Sequence, residues 1–188
     1  MNVAILIFPH VQIIDFAGPY EVFGQAGFNV FTVASSKIPL TSAMGLQVTP
    51  EYTLNDHPSP DIIVVPGGRE FDEPLNPGEL EWMRKYGAEV EHVLSTCCGA
   101  IEIGRAGLLE GLSATTHHGY YKELQLHAPG VCVVEDKRWV DNGRVVTSGG
   151  LCSGIDGALH VVAKIKGEKE ARRIADWMEY DWSDTLDR

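Results

Sequence analysis

The chain has 188 residues, enough for one domain with a sizeable core, and its 44% hydrophobic and 22% charged residues are typical of a soluble globular protein. Its net charge of −11 argues against nucleic acid or an anionic membrane as a partner, because both require clustered Lys and Arg. No apolar run approaches the length of a membrane span and no signal peptide is recognisable, so we expect a single domain over residues 1–188 in the cytoplasm.

The first predicted elements are a buried strand and a helix that begins at a proline. Residues 3–8 are continuously apolar, the pattern of a parallel strand buried on both faces. Gly18 can cap a helix and Pro19 suits a first turn, so the helix is predicted over residues 19–25. Asp15 then precedes the helix among apolar residues, where burial would raise its pKa and suit it to general acid–base catalysis. The alternative is a turn or capping aspartate that bonds local amides.

The next segment ends in two adjacent glycines. Its pattern predicts a strand over 28–34, a hairpin around Gly45 within 41–48, and a core strand over 61–65. Gly67 and Gly68 follow the last of these strands, where backbone N–H groups can approach a ligand closely and form an oxyanion pocket. A plain turn is the alternative.

A helix over 79–86 precedes the most informative part of the chain, the turn at Cys97. A buried strand reverses there directly into a helix that stops near Gly104 or Gly107, and such a tight turn needs small residues two positions before and after its apex. Ser95 and Gly99 satisfy that requirement for Cys97 better than the neighbours of Cys98 do. The following helix would favour the nucleophilic thiolate. The alternative is a buried cysteine that only fills the core.

The four cysteines, at positions 97, 98, 132 and 152, indicate no metal site. They have no paired CxxC spacing, which makes a zinc site improbable. Cys97 and Cys98 are able to form a strained ring disulfide, but reduced thiols are expected in a cytosolic setting.

The last third of the chain contributes further candidate residues to the same sheet edge. Strands are predicted over 112–115, 131–135, 138–140 and 144–147, and helices over 153–166 and 168–180. His117 follows the first of these strands and is a candidate partner for Cys97, or alternatively a capping or loop residue. Ser148 ends the last strand in a glycine-rich turn, which we interpret as packing beside Cys97 rather than as a phosphate site.

Alternating strands and helices predict an α/β fold: a three-layer sandwich with a mostly parallel sheet and helices on both faces. The functional groups of such sheets gather at the carboxyl ends of the strands. Five candidate residues are expected at that edge: Asp15, Gly68, Cys97, His117 and Ser148.

Six segments resemble the ThiJ/PfpI superfamily, which has the class I glutamine amidotransferase-like fold. Within it the chain is most similar to the isonitrile hydratases and to related domains of AraC-type regulators, and the resemblance covers residues 3–166. The matching segments are FP at 8–9 with DFAGPYEVF at 15–23, VPGG at 65–68, STCCGA at 95–100, GLLEG at 107–111, ATTH at 114–117 and TSGGLCSGIDGAL at 147–159.

The resemblance implies a cysteine-dependent hydratase that converts an isonitrile to an N-substituted formamide. Cys97 would be the nucleophile and Asp15 the general acid and base, with the backbone N–H groups of Gly68 and Cys98 balancing charge. The supporting residues would be His117, Gly67 and Ser148. The resemblance implies no metal or organic cofactor, a small-molecule substrate and a homodimer.

The residue after the nucleophile departs from the pattern. It is Thr in the isonitrile hydratase compared and His in the peptidase-like branch, and here it is Cys98. Loss of His weakens a peptidase function, whereas a second thiol opens a redox role. Two alternatives stay open: an amidase, peptidase or glyoxalase-like enzyme that uses Cys97 with His117, and a non-enzymatic sensor of small molecules or oxidants.

Overall fold

Strands and helices alternate along most of the chain in the computed structural model, which describes residues 1–68 and 75–182. In these ranges the strands are β1 (Asn2–Leu6), β2 (Asn29–Ala34), β3 (Leu40–Thr41), β4 (Gln47–Val48), β5 (Tyr52–Thr53), β6 (Ile62–Val65), β7 (His92–Ser95), β8 (Ser113–Ala114), β9 (Cys132–Val133), β10 (Trp139–Asp141) and β11 (Val145–Ser148). The helices are α1 (Ile13–Gln25), α2 (Pro77–Glu89), α3 (Gly99–Arg105), α4 (Tyr121–His127), α5 (Ser153–Lys166) and α6 (Glu168–Trp177).

The main sheet of the described residues has the strand order β10-β11-β7-β6-β1-β2-β5. All neighbouring strands in it are parallel except β10 and β11, which form an antiparallel pair at one margin. The central strands β1 and β6 are apolar and almost wholly buried, as expected for parallel strands covered on both faces. The predicted mostly parallel sheet is therefore confirmed.

Helices cover both faces of this sheet. On one side α5 packs against α1 and α6, and on the other α3 packs against α2 and α4. The prediction of α5 is correct at both ends, because its apolar residues recur at helical spacing and face the core. The predicted three-layer α/β sandwich is thus confirmed. None of the helices in the described ranges is long and apolar enough to cross a membrane.

The prediction for α1 is wrong at its amino terminus. The helix begins at Ile13 rather than at Pro19, so Asp15 lies in its first turn and Gly18 does not cap it. Pro19 sits inside the helix, where it removes one backbone hydrogen bond. Burial of Phe16, Val22 and Phe23 against the sheet stabilises the helix in spite of that loss.

Smaller differences concern elements with few buried residues. The hairpin around Gly45 exists, but β3 and β4 form a separate two-stranded sheet. Likewise β8 pairs with β9 outside the main sheet. Strand β5, helix α4 and the short 3-10 turn His118–Tyr120 were not predicted, and α6 ends at Trp177 instead of near Tyr180.

Candidate active site

Cys97 occupies the apex of a tight turn between β7 and α3. Its φ of 54° is in the left-handed region, which a non-glycine residue adopts only where the surrounding structure holds it. The turn requires glycine at position 99, because a Cβ there would lie 1.9 Å from the carbonyl oxygen of Val65. The strand–turn–helix geometry predicted around Cys97 is therefore present, with Ser95 and Gly99 as its small neighbours.

Backbone hydrogen bonds from both sides hold this turn in place. Strand β7 is aligned with β6 and β11 so that Ser95 pairs with Val65 and with Thr147. Beyond these pairs, the Cys97 N–H donates to the carbonyl oxygen of Gly149 at 2.9 Å. The buried hydroxyl of Thr116 donates to the carbonyl oxygen of Cys97 at 2.8 Å. Both backbone polar groups of Cys97 are thus fixed.

Asp15 is the ionisable group beneath this turn. It is fully buried, and the N–H of Gly67 donates to its Oδ2 at 3.2 Å. Burial raises the pKa of Asp15 from 3.8 to about 7, although the Cys97 thiol and the N–H groups of Gly67 and Leu151 act in the opposite direction. Oδ1 has no partner with good hydrogen-bond geometry among the described residues, so these neighbours only partly offset the burial. Near neutral pH this carboxyl group can give or take a proton.

The proline inside α1 connects Asp15 to the turn at Cys97. In an unbroken helix the N–H of residue 19 would donate to the carbonyl oxygen of residue 15, but proline has no N–H. The buried hydroxyl of Thr96 instead donates to the Asp15 carbonyl oxygen at 3.0 Å. The residue that carries the carboxyl group is therefore tied directly to the residue before Cys97.

A cavity of about 200 Å³ opens above the two cysteines. The lining residues come from five separate parts of the chain: Gln12, Gly68, Cys97, Cys98, His117, Tyr120 and Leu151. The structure thus brings Gly68, Cys97, Cys98 and His117 together around one space, with Asp15 buried next to Cys97.

The glycine pair after β6 packs closely against this cluster. A Cβ on Gly67 would lie 2.7 Å from the backbone nitrogen of Cys98 and 2.9 Å from Oδ2 of Asp15. A Cβ on Gly68 would lie 2.3 Å from the carbonyl oxygen of His10. Only glycine fits at either position, which is why this strand end can approach the cysteine turn so closely.

His117 reaches the cavity from the loop after β8. Its Nδ1 accepts a hydrogen bond from the Gly119 N–H at 3.1 Å, which assigns the proton of the neutral ring to Nε2. Its ring stacks on His118 and packs against Gly150. His117 is therefore both a capping residue, one of the two interpretations of its sequence position, and a wall of the cavity.

Ser148 lies elsewhere than the other candidates. It is fully buried, its Oγ donates to the carbonyl oxygen of Ser95 at 3.1 Å, and it does not line the cavity. It is the last residue of β11, and its side chain lies against Gly157 of α5. Ser148 therefore stabilises the end of β7 through this hydrogen bond. This agrees with the prediction that the glycine-rich turn packs beside Cys97.

Three residues that line the cavity were not predicted from the sequence. Gln12 lies just before α1, and its N–H donates to the carbonyl oxygen of Gly67 at 3.0 Å. Tyr120 ends the short 3-10 turn, and Leu151 has a φ of 54° just before α5. Only Leu151 had a partial signal, because it follows the two glycines at positions 149 and 150.

Cys98 contacts Cys97 and closes the other side of the turn. The two sulfur atoms are 3.5 Å apart, both residues are almost fully buried, and both are free cysteines. The hydrogen bond to Cys97, followed by burial, raises the pKa of Cys98 far above its usual range. Cys98 is therefore a neutral thiol that can donate to the Cys97 sulfur. Among residues 1–68 and 75–182 no group of His, Cys, Asp or Glu is arranged to hold a metal ion.

Comparison with known proteins identifies one family. The DJ-1/PfpI family matches residues 1–164 of the chain. An isonitrile hydratase of Pseudomonas putida is 37% identical over 183 residues, which cover 96% of this chain and 78% of the relative. The HTH-type transcriptional regulator GbdR of Pseudomonas aeruginosa is 24% identical over 86% of this chain and 44% of the regulator. The structure of a ThiJ/PfpI family protein from Pseudomonas syringae has a TM-score of 0.88 and 28% identity, covering 98% of this chain and 77% of that one.

Proposed function

Because the chain belongs to the DJ-1/PfpI family, we propose that it is a cysteine-dependent hydratase that adds water to an isonitrile and releases an N-substituted formamide. The observation that carries the proposal is the buried carboxyl group of Asp15, whose pKa of about 7 is raised by burial directly beside Cys97. The 37% identity to an isonitrile hydratase over 96% of the chain supports the choice of substrate class.

The first step uses the proton of Asp15 and the thiolate of Cys97. An isonitrile carbon has a lone pair and accepts a proton, after which it becomes electrophilic. Neutral Asp15 delivers this proton while the sulfur of Cys97 attacks the same carbon. The product is a thioimidate, in which the former isonitrile carbon holds one hydrogen and a bond to sulfur.

Water completes the reaction. Ionised Asp15 takes a proton from water as the hydroxyl group adds to the thioimidate carbon, and it passes that proton to the substrate nitrogen. It then takes the hydroxyl proton as the C–S bond breaks, which releases the formamide and restores the acid and the thiolate. Every proton in this cycle moves through one carboxyl group, and a carboxyl group with a pKa near neutrality suits both directions of transfer.

Backbone amides and the second thiol would stabilise negative charge in the cavity. The N–H groups of Gly68 and Cys98 belong to the two strand ends that meet beside Cys97. In acyl-transfer enzymes each such donor contributes about 2.7–4 kcal/mol of transition-state stabilisation. The Cys98 S–H, with its sulfur 3.5 Å from that of Cys97, would stabilise the thiolate as it is regenerated.

The direct test is formamide production from cyclohexyl isocyanide, measured by chromatography with the reduced protein. Cys97→Ala should abolish turnover and Asp15→Asn should lower kcat by about 100- to 10,000-fold, the usual contribution of a general acid–base group. Cys132→Ala is the matched control, because Cys132 is an exposed cysteine outside the cavity. Absence of formamide with the wild-type protein, or full activity in Cys97→Ala, would refute the proposal.

The position of His117 in the cavity wall favours a second candidate, a glyoxalase-like or amidase-like enzyme. There the imidazole would exchange protons with Cys97 during attack on a reactive carbonyl group. Methylglyoxal consumption that depends on His117 but not on Asp15 would select this function. The third candidate is a sensor domain, because the relatives include transcriptional regulators. Binding of isonitriles or carbonyl compounds without turnover would select the sensor.

We further propose that the protein works as a homodimer in the cytoplasm. The cysteines at 97, 98, 132 and 152 are all free thiols, the state that a reducing compartment maintains. Light scattering of the purified protein should give twice the mass of one chain.

A further inference from the structure

We propose that Cys97 and Cys98 form a site of reversible oxidation by hydroperoxides, in which Cys98 captures the oxidised sulfur of Cys97 as a disulfide. This modification is separate from the hydratase chemistry, because it uses a different co-reactant and requires no isonitrile. Its consequence for any reaction at Cys97 is reversible inactivation.

The first observation is the separation of the two sulfur atoms. They are 3.5 Å apart, whereas a disulfide bond is about 2.05 Å long. The bond therefore requires the two sulfur atoms to approach by about 1.5 Å, with strain in the turn that carries them. No other residue has to supply a sulfur atom.

The second observation is the access that both sulfurs share. Cys97 and Cys98 line the same cavity of about 200 Å³, so a small hydroperoxide that reaches one reaches both. Each is otherwise more than nine-tenths buried. Larger oxidants and other protein thiols are therefore excluded from the pair, which restricts the chemistry to small molecules.

The chemistry balances with the groups already in the cavity. The Cys97 thiolate attacks the terminal oxygen of the hydroperoxide, the O–O bond breaks, and Asp15 protonates the leaving alkoxide to an alcohol. Cys97 is now a sulfenic acid. The Cys98 sulfur attacks the sulfenic sulfur as its proton passes to Asp15, and hydroxide leaves with that proton as water. Two electrons leave the thiol pair and reduce the peroxide.

The geometry also predicts that the disulfide is easily reduced. Consecutive Cα atoms lie about 3.8 Å apart, below the separation of about 4.4–6.8 Å at which disulfides are relaxed. Strained disulfides have more oxidising potentials and are the labile, regulatory kind. A disulfide between adjacent residues at a turn with a φ of 54° is therefore suited to a switch and not to stabilising the fold.

Mass spectrometry tests the proposal without any assay of activity. Trypsin should release residues 86–105 as one peptide, which contains Cys97 and Cys98 and neither of the other cysteines. After brief treatment with hydrogen peroxide, this peptide should lose the mass of two hydrogen atoms. The count of free thiols should fall from four to two, and dithiothreitol should restore all four.

Cys98→Thr is the decisive variant, because it removes the capturing thiol and keeps a small side chain. Its peptide should instead gain oxygen, as sulfinic acid on Cys97, and dithiothreitol should not reverse the change. A Cys132→Ser, Cys152→Ser protein excludes disulfides with the exposed cysteines and should behave as the wild type. Oxygen addition in the wild-type peptide, without loss of two hydrogens, would overturn the proposal, and so would a disulfide that survives in Cys98→Thr.

Discussion

Asp15 is the residue whose chemistry depends most on its surroundings. Its carboxyl group is fully buried, and the resulting pKa of about 7 gives it two protonation states within the physiological range. A carboxylate with ordinary solvation would be ionised throughout that range and could not act as an acid. The burial of α1 against the sheet is thus directly responsible for the proton-transfer capacity of the site.

The pH dependence of hydration should reveal the protonation of Asp15. The first step needs neutral Asp15, so the ratio of wild-type to Asp15→Asn kcat/KM should fall about tenfold per pH unit above about pH 7. The measurement is a profile from about pH 5.5 to about pH 9 with a single alkyl isonitrile. The ratio removes the effect of any other ionisation that both proteins share. A ratio that stays level up to about pH 8.5 would contradict the assignment of Asp15 as the acid.

Asp15 should lower the stability of the folded protein at neutral pH and above. The pKa of Asp15 is raised from 3.8 to about 7 in the folded state, so the folded protein retains a proton that the unfolded chain releases between these values. The contribution of Asp15 to the free energy of unfolding therefore falls as the pH rises from 3.8 to about 7, by at most about 4 kcal/mol. Asp15→Asn should be more stable than wild type at pH 8 by roughly 2 kcal/mol, with no difference near pH 4, in urea unfolding. Equal stabilities at pH 8 would argue against a costly buried charge.

Single residues also show where sequence reasoning stops. That Cys97 lies at the apex followed from small neighbours and strand–helix alternation, which are local properties. That the side chain of Ser148 does not line the cavity could not be predicted, because a strand end fixes where a residue lies but not which way its side chain points. The lining residues Gln12, Tyr120 and Leu151 were missed because a cavity wall depends on how distant loops meet.

At the scale of elements, α1 and the turn at Cys97 act as one unit. Pro19 leaves the Asp15 carbonyl oxygen without its helical donor, and the Thr96 hydroxyl takes that place at 3.0 Å. The hydrogen bond that the helix lacks is thus replaced by one between Thr96 and Asp15, which are 81 residues apart in the chain.

A double-mutant cycle should detect this replacement. Thr96→Val removes the hydroxyl but keeps the shape, and should cost about 1–2 kcal/mol because it leaves a buried carbonyl without a donor. In a Pro19→Ala background the helix itself supplies the missing N–H, so the same substitution should cost about 0.5–1 kcal/mol less. Chemical denaturation of the four proteins measures both values. Additive effects would show that the two sites are independent.

The close contact between β6 and α3 should make glycine indispensable at position 99. Gly99→Ala places a Cβ 1.9 Å from the Val65 carbonyl oxygen, so the turn has to move and the variant should lose at least about 3 kcal/mol or fail to fold. Gly24→Ala is the matched control, because no atom lies within 4 Å of its added Cβ. It should be neutral or up to about 1 kcal/mol more stable through helix propensity. Thermal unfolding distinguishes the two, and similar melting temperatures would contradict the steric argument.

Much of the fold could be predicted at this scale, and the exceptions have common causes. Helix α5 and the buried strands were predicted well because their apolar residues repeat with a clear period. Helix α4 was missed since only Leu124 is buried in it, which leaves no period to detect. The start of α1 was predicted wrongly because Gly18 and Pro19 usually mark the beginning of a helix. Here both residues lie inside the helix, which is stabilised by its burial against the sheet and by the Thr96 hydroxyl, the donor that replaces the missing N–H of Pro19.

At the scale of the whole molecule, a polar cluster joins the last part of the chain to the body of the domain. Arg138, in the loop before β10, forms an ion pair with Asp156 on α5. The hydroxyl of Tyr180, which follows α6, donates to Oδ2 of Asp156 at 3.1 Å. Burial and the charge of Asp156 raise the pKa of Tyr180 to about 12, so this hydroxyl keeps its proton at any pH the folded protein normally meets.

Removing that hydroxyl should loosen α6 and the following residues up to position 182 without altering the chemistry. Tyr180→Phe should cost about 1–2 kcal/mol, because a hydrogen bond to a partly buried carboxylate is lost. Hydrogen exchange should increase in α6 more than in the central strands. Activity should stay within about twofold, since Tyr180 does not line the cavity. Unchanged exchange in α6 would show that Tyr180 does not anchor it.

The cavity and the reacting pair are supported by different parts of the molecule. Asp15 and Cys97 are held from below by main-chain bonds to the sheet and to each other's neighbours, whereas Gln12, Tyr120 and Leu151 reach the opening from separate loops. The side chains of these wall residues can therefore be exchanged without retuning the acid or the nucleophile, whereas the backbone N–H of Leu151 has to stay in place because it acts on the pKa of Asp15. The groups that select the substrate are thereby separate from the groups that transform it, and the choice of substrate can be redesigned by changing side chains on the loops alone.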